Sequence, residues 1–253
     1  MISILSVPIV LSAIAFLFSM LGRSGGTLYT PLFFWMGFDL KTQAIPLSIF
    51  LGFLTSSIAM ANYSWKKILN WRIAIPLGLT MLIFSPLGAY FQLNIPEKHI
   101  IFILACFTAL SVIPLLFEKT INIQNKKFNK KNLVIGLSGG ASLGFFTAII
   151  GRGGGTFIVP LLYTIGVKIK TAAAISSFAV ACSQGSSLIA YLSLHAEPEW
   201  TLWIASILAV ITGSLAGSKF MVESLSSRQI KWIFIIINLL IATTLIINDV
   251  ILA

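Results

Sequence analysis

GRSGGTLYTPLFFWMGFDLKTQA, from Gly22 to Ala44, interrupts an otherwise oily chain. It returns 129 residues later as GRGGGTFIVPLLYTIGVKIKTAA, from Gly151 to Ala173. Laid over each other without a gap, 22–48 and 151–177 agree at 12 of 27 positions. The agreements are mostly Gly, Pro, Thr, Arg and Lys, the types that fix backbone shape or charge. A break repeated at corresponding places in two halves of membrane-type sequence points to a transporter's binding site.

The surrounding sequence is of that type. Hydrophobic residues make up 57% of the 253 and charged residues 9%, with mean hydropathy +0.98. A soluble domain of this length could not hide so much apolar surface. Long apolar stretches run over 2–21, 43–62, 73–93, 100–117, 133–150, 171–194, 201–217 and 231–248, with short ones at 28–38 and 157–167 after the glycine breaks. A full span needs about 20 apolar residues, whereas 10–14 suggests a re-entrant piece. The first stretch has neither a basic n-region nor a small-x-small cleavage site, so it reads as retained rather than as a signal peptide. Cys106 and Cys182 lie in apolar spans and read as small buried residues.

The net charge of +10 is gathered in short loops, as a bilayer topology requires, and not in a nucleic-acid-binding face. The loop 118–131 carries Lys119, Lys126, Lys127, Lys130 and Lys131 against Glu118. The loop 63–72 carries Lys66, Lys67 and Arg72, and 218–231 carries Lys219, Arg228 and Lys231 against Glu223. These three are expected inside. The turns 94–99 (Glu97, Lys98, His99) and 195–200 (His195, Glu197, Glu199) are expected outside. The loop after residue 62 is then inside while its repeat-mate after residue 194 is outside, so the halves are inverted.

An inverted half crosses the membrane an odd number of times. The expected fold is therefore an all-α integral membrane protein of two inverted repeats. Each repeat is a glycine-tipped broken or re-entrant helix hairpin plus three transmembrane helices. The first repeat is 1–117: hairpin 2–38 with tip 22–27, then spans 43–62, 73–93 and 100–117. A basic linker, 118–131, leads to the second repeat, 132–253: hairpin 133–167 with tip 151–156, then spans 171–194, 201–217 and 231–248. Both termini are expected outside. A short piece that crosses fully is the other solution, but its roughly 11 apolar residues reach only ~16 Å as a helix against ~30 Å of hydrocarbon.

Irregular backbone at membrane depth must be buried in protein or line a wet cavity. Gly25-Gly26 and Gly153-Gly154-Gly155 supply such backbone. Thr27 and Thr156 are then expected as N-caps and Pro31 and Pro160 as first-turn prolines, each starting a short helix that ends at Gly37 or Gly166. Helix N-termini favour anions. Arg23 and Arg152 strengthen that reading, because intramembrane charge is costly and a guanidinium suits oxyanions. The competing reading has each arginine bind its own loop's carbonyls or snorkel to an interface. Further candidates for substrate binding are Ser48 and Ser177, matched across the repeat, and Gln184, whose amide needs partners. Small hydroxyl residues otherwise serve helix packing.

These motifs resemble the TauE/SafE family of membrane transporters, also called the sulfite exporter or toluene-sulfonate uptake family. Gly151-Arg152-Gly153-Gly154-Gly155 with Pro160-Leu161 resembles that family's glycine-rich segment and Pro-Leu pair. Gly22-Arg23-Ser24-Gly25-Gly26 with Pro31-Leu32 departs from it at Ser24. The resemblance implies a duplicated module of about four helices in a prokaryotic cytoplasmic membrane. It also implies transport of a small sulfur-containing or carboxylated anion driven by the proton-motive force. No membrane-embedded acid stands out as a proton carrier; Asp39, Glu118 and Glu223 lie at span ends and His99 and His195 in turns. The proton could equally ride on a weakly acidic substrate. The expected function is a secondary anion transporter working by alternating access, with a passive anion channel as the alternative. No cofactor, metal or catalytic residue is expected, and the chain does not read as an enzyme. The oligomeric state stays open, a homodimer being one option.

Overall fold

The computed structural model describes residues 7–92, 94–96, 106, 110–116, 130–149, 155–194 and 200–245. All of the regular structure among them is helical. In chain order the helices are α1 (Val7–Met20), α2 (Gly26–Trp35), α3 (Ile45–Trp65, preceded by a π-turn over Leu40–Ala44), α4 (Trp71–Gln92) and a short α5 (Ile113–Leu116). The second set is α6 (Lys130–Ile149), α7 (Gly155–Thr164), α8 (Ile169–Leu194), α9 (Trp200–Glu223) and α10 (Ser227–Leu245).

The bounds themselves repeat at the 129-residue offset of the glycine phrases. The last residues of α1 and α6 correspond, as do both ends of α2 and α7 and the first residues of α4 and α9. The helix that includes the π-turn, Leu40–Trp65, matches α8 from end to end. Among the described residues, four helices are long and apolar enough to cross a membrane: Leu40–Trp65, Trp71–Gln92, Ile169–Ser193 and Ser206–Glu223. Their outward faces are oily, with Ile83, Tyr90, Ile204 and Leu208 exposed. The stretch 218–231 is mostly helix rather than loop, broken only at 224–226. Its cations sit on helix ends, where long side chains snorkel.

Chain reversals follow one pattern. After α1, the Gly22 amide donates to the Ser19 carbonyl and the Arg23 amide to the Phe18 carbonyl, with Gly22 left-handed at φ +69. This is a Schellman cap. The same pair of bonds closes α2 at Gly37 and α7 at Gly166. The expected threonine caps are not formed. Left-handed Gly25 holds the N-cap position of α2, with Gly26 as the first helical residue and its amide directed to the Ser24 hydroxyl at 3.4 Å. Thr27 therefore falls inside the first turn, and its hydroxyl is free for other work. Pro31 and Pro160 lie in mid-helix rather than in the first turn. Each removes the amide that would bond the carbonyl of Thr27 or Thr156, four residues back.

The halves interlock. The first helix of each half packs on the fourth helix of the other, α1 on α9 and α6 on α4, while α3 and α8 pack on each other at the centre. Glycine permits the closest approaches. A Cβ on Gly217 would stand 2.0 Å from the Phe16 carbonyl oxygen, and one on Gly88 would stand 2.2 Å from that of Phe145. These are the same contact in the two halves, since both residue pairs are related by the repeat offset. Small residues at helix contacts are the usual device for packing in lipid, where apolar burial between helices is worth little.

Candidate functional site

The two glycine phrases meet at the centre. Gly155 lies so close to the first phrase that a Cβ there would stand 2.9 Å from both Cα and Cγ of Arg23. Arg23 is 1% exposed, and its guanidinium gathers groups from four helices. Nη1 donates to Asn238 Oδ1 of α10 at 2.7 Å. Nη2 donates to the hydroxyl of Thr156 in α7 and, at 3.4 Å, to that of Thr27 in α2. Phe18 of α1 and Phe234 of α10 present ring faces at 4.9 and 5.2 Å. All these partners are neutral. A buried cation held only by amide, hydroxyl and π-faces keeps its charge uncompensated. The ion pair found among the described residues, Lys66 with Glu223 at 3.0 Å, lies exposed at the edge of the protein.

Asn238 is itself fixed. Its Nδ2 donates at 2.8 Å to the carbonyl of Phe234 one turn earlier. That bond settles the amide orientation and leaves Oδ1 facing Arg23.

Gln184 adjoins the same loop. It is 2% exposed and lies against Gly52 and Ser24: a Cβ on Gly52 would come within 2.6 Å of both amide atoms and 2.9 Å of Ser24 Cβ. Neither Nε2 nor Oε1 has a hydrogen-bond partner among the described residues, and the Ser187 hydroxyl one turn on has none either. Buried amides are normally satisfied, so each such atom asks for an explanation. Nearby, the Tyr29 hydroxyl approaches the Thr55 hydroxyl at 3.4 Å, and its ring lies against Gly25. Thr55 is the repeat-mate of Gln184.

The sequence-predicted residues thus fall into three groups. Arg23, Gly25, Gly26, Thr27, Gly155, Thr156 and Gln184 converge around the first glycine phrase. Ser48 and Ser177 are buried but donate to carbonyls in their own helices, Ala44 at 2.7 Å and Ala173 at 2.9 Å. Arg152, Gly153 and Gly154 lie outside the described residues. The sequence reading missed Asn238, Phe18 and Phe234. Asn238 did carry a signal, being a lone amide within the apolar run of α10.

The family profile described as "Sulfite exporter TauE/SafE" matches residues 7–245. The chain belongs to the TauE/SafE family. Its relatives include a "probable membrane transporter protein" of Methanocaldococcus jannaschii, 27% identical over 71% of this chain and 68% of that one. Another "probable membrane transporter protein", from Sinorhizobium fredii, is 24% identical over 90% of this chain and 91% of its own. No solved structure matches the chain. As a TauE/SafE member the chain is a multi-pass membrane transporter, and the Arg23 centre is where the two glycine phrases shared with that family's pattern come together.

Proposed function

We propose that this TauE/SafE protein is a secondary transporter that carries a small oxyanion across the cytoplasmic membrane. The candidates are sulfite, a sulfonate such as sulfoacetate, or a related carboxylate. In this reading the two halves are inverted and rock against each other around the glycine tips. The observation that carries the proposal is Arg23, a buried guanidinium at the seam of the two halves, whose hydrogen-bond partners among the described residues are all neutral. An oxyanion exchanging with those acceptors would neutralise it through two parallel N–H···O bonds. Gln184 of α8 adjoins the same loop, its amide donor and acceptor both without partners among the described residues. The interlocked packing supports this reading, because each first helix packs on the fourth helix of the opposite half.

The test is flux in proteoliposomes. Sulfite, thiosulfate, sulfonates and short carboxylates are offered in turn, at several gradients of pH. Saturable uptake that is accelerated by counter-substrate is expected for one of them. Arg23→Gln should abolish it in protein that still elutes as a folded monodisperse species. Unsaturable flux without counterflow would replace the carrier by a channel, and wild-type flux in folded Arg23→Gln would remove the anion centre altogether. Inversion is tested separately with single cysteines. One in 118–131 should be shielded from an impermeant reagent in intact cells, and one at 199 should be labelled.

A further inference from the structure

A second basic site lies away from the Arg23 centre. A cavity of about 480 Å³ opens where α7 turns into α8 and α9 turns into α10. Lys168, Arg228 and Lys231 line it, with Ser227, Tyr163 and Trp232, and no acidic side chain is among its described lining residues. Lys231 is 8% exposed, and its ammonium stands 6.0 Å from the Tyr163 ring. Lys168 and Arg228 are exposed at the mouth.

Among the described residues, the acid at this end of the protein is already engaged. Glu223, at the end of α9, is held by Lys66 at 3.0 Å. Lys170 spends its ammonium on the Val222 carbonyl at 3.2 Å. Lys168 and Arg228 are therefore not neutralised from those directions. The start of α10 adds to the positive field. Ser226 and Gln229 form a reciprocal capping box: the Ser226 amide donates to Gln229 Oε1 at 2.8 Å and the Gln229 amide donates to Ser226 Oγ at 3.3 Å. The amides of Ser227 and Arg228 then lead the helix into the cavity mouth, without an intrahelical acceptor and at the positive end of the dipole.

The position is as informative as the charge. Trp232 is 49% exposed on the outward face, and tryptophan and tyrosine beside lysine and arginine mark the headgroup depth of a bilayer. Lys66, Lys67 and Lys219 lie on the same family of loops and helix ends that the charge rule assigns to the cytoplasm. Basic pockets between helices on that side bind lipid phosphates.

The geometry points to this cavity as a binding site for the phosphate headgroup of an anionic phospholipid of the cytoplasmic leaflet. Lys168 and Arg228 clasp the phosphate at the mouth, and Lys231 sets the charge of the floor. Tyr163 and Trp232 seat the glycerol and the first methylenes. The lipid bridges the α7–α8 turn to the α9–α10 turn within one half and stays outside the Arg23 centre. The site is independent of which anion is transported, and its failure leaves the transport reading intact.

Full-length protein in phosphatidylcholine nanodiscs, titrated with phosphatidylglycerol and read by native mass spectrometry, tests it. Each cation at the membrane surface is worth about fivefold in affinity, so Lys168→Gln or Arg228→Gln should each weaken phosphatidylglycerol by about fivefold and the pair by ~30-fold. Lys219→Gln, exposed and outside the cavity, should leave it unchanged. An equal loss in Lys219→Gln would show diffuse surface charge and overturn the site. No preference for phosphatidylglycerol over phosphatidylcholine would overturn it as well. Inorganic phosphate that displaces phosphatidylglycerol at millimolar concentration would make it a free-anion site and overturn the lipid assignment.

Discussion

Replacing Asn238 by leucine isolates what holds Arg23 in place. The substitution removes the 2.7 Å bond from Nη1 and strands one face of a guanidinium that is 1% exposed. Hydrogen bonds to charged groups contribute about 1.5–3 kcal/mol, and a buried donor left without an acceptor retains its desolvation cost. A loss near 3 kcal/mol is expected, equivalent to about 6–12 °C in thermal midpoint for a chain of this size. The Asn238 bond to the Phe234 carbonyl disappears too, but that loss is common to every background and cancels in a cycle. Arg23→Met removes the charge while keeping apolar bulk against Phe18 and Phe234, so it should be close to neutral for stability. In that background Asn238→Leu should cost less than about 1 kcal/mol, giving a coupling of roughly 2–3 kcal/mol between the two sites. Thermal unfolding of all four proteins in one detergent measures it. Equal losses from Asn238→Leu with and without Arg23 would refute the clamp. The same Arg23→Met protein should bind no anion in a thermal-shift screen, which separates its folding role from its charge.

Gly22→Ala should leave almost no folded protein in membranes, as judged by size-exclusion of a fluorescent fusion. Its Cβ would fall 2.1 Å from the Ala173 carbonyl oxygen in addition to the strain of φ +69, whereas Gly37→Ala at φ +93 meets nothing within 4 Å and should lose only ~1–2 kcal/mol. Similar outcomes for the two would mean that the α1–α8 contact does not constrain the loop. Gln184→Leu should unfold at an equal or higher temperature than the parent, because it removes two buried atoms that lack partners. It should nevertheless lose ligand-dependent stabilisation. A marked drop in midpoint without ligand would show that the amide is satisfied internally. Asp39 is held below the usual carboxylate range, first by the Thr42 amide, then by the Thr42 hydroxyl, the Lys41 amide and the Lys41 charge, against a smaller opposing effect of burial. A lowered folded value gives stability that is complete above the unfolded value near 4 and fades as pH falls through the folded one. Asp39→Asn should therefore lose the acid-side slope of midpoint against pH below about 4; an unchanged slope would mean another carboxyl carries it.

The element plan was legible because glycine and proline punctuate it. Gly37 and Gly166 both end a short helix, and the paired breaks at Gly22–Thr27 and Gly151–Thr156 announce two halves before any helix is drawn. The uses of the polar residues were not legible. Thr27 and Thr156 read locally as caps, because a threonine after glycine beside an apolar run commonly is one. Their real partner is Arg23, which for Thr156 is 133 residues away. Asn238 meets the same guanidinium from 215 residues away. Spacing within one segment carries no trace of such pairings. Nor does it reveal that Phe16 and Phe145 rest on Gly217 and Gly88, although four glycines and phenylalanines at a common offset were visible. Local signals fix where a helix stops, and cross-half packing decides what its side chains then face.

The duplication explains why the centre is lopsided. Residues that set backbone shape are kept at the repeat offset, as are Thr27 and Thr156, whereas the other polar residues around Arg23 are not. Asn238 corresponds to Ala109, Gln184 to Thr55, Tyr29 to Ile158 and Ser24 to Gly153. Two identical halves would present two equivalent guanidiniums with equivalent acceptors. Here Arg23 has an amide acceptor supplied by the last helix of the other half, and the matching position for Arg152 is an alanine that can accept nothing from its side chain. Under the transport reading proposed above, the carried oxyanion exchanges with the acceptors of Arg23, whose bonds to Thr27 and Thr156 otherwise join the two glycine tips. On that reading a shared backbone lets the two halves exchange roles in space, while the unequal polar residues gather the exchangeable acceptors around one guanidinium.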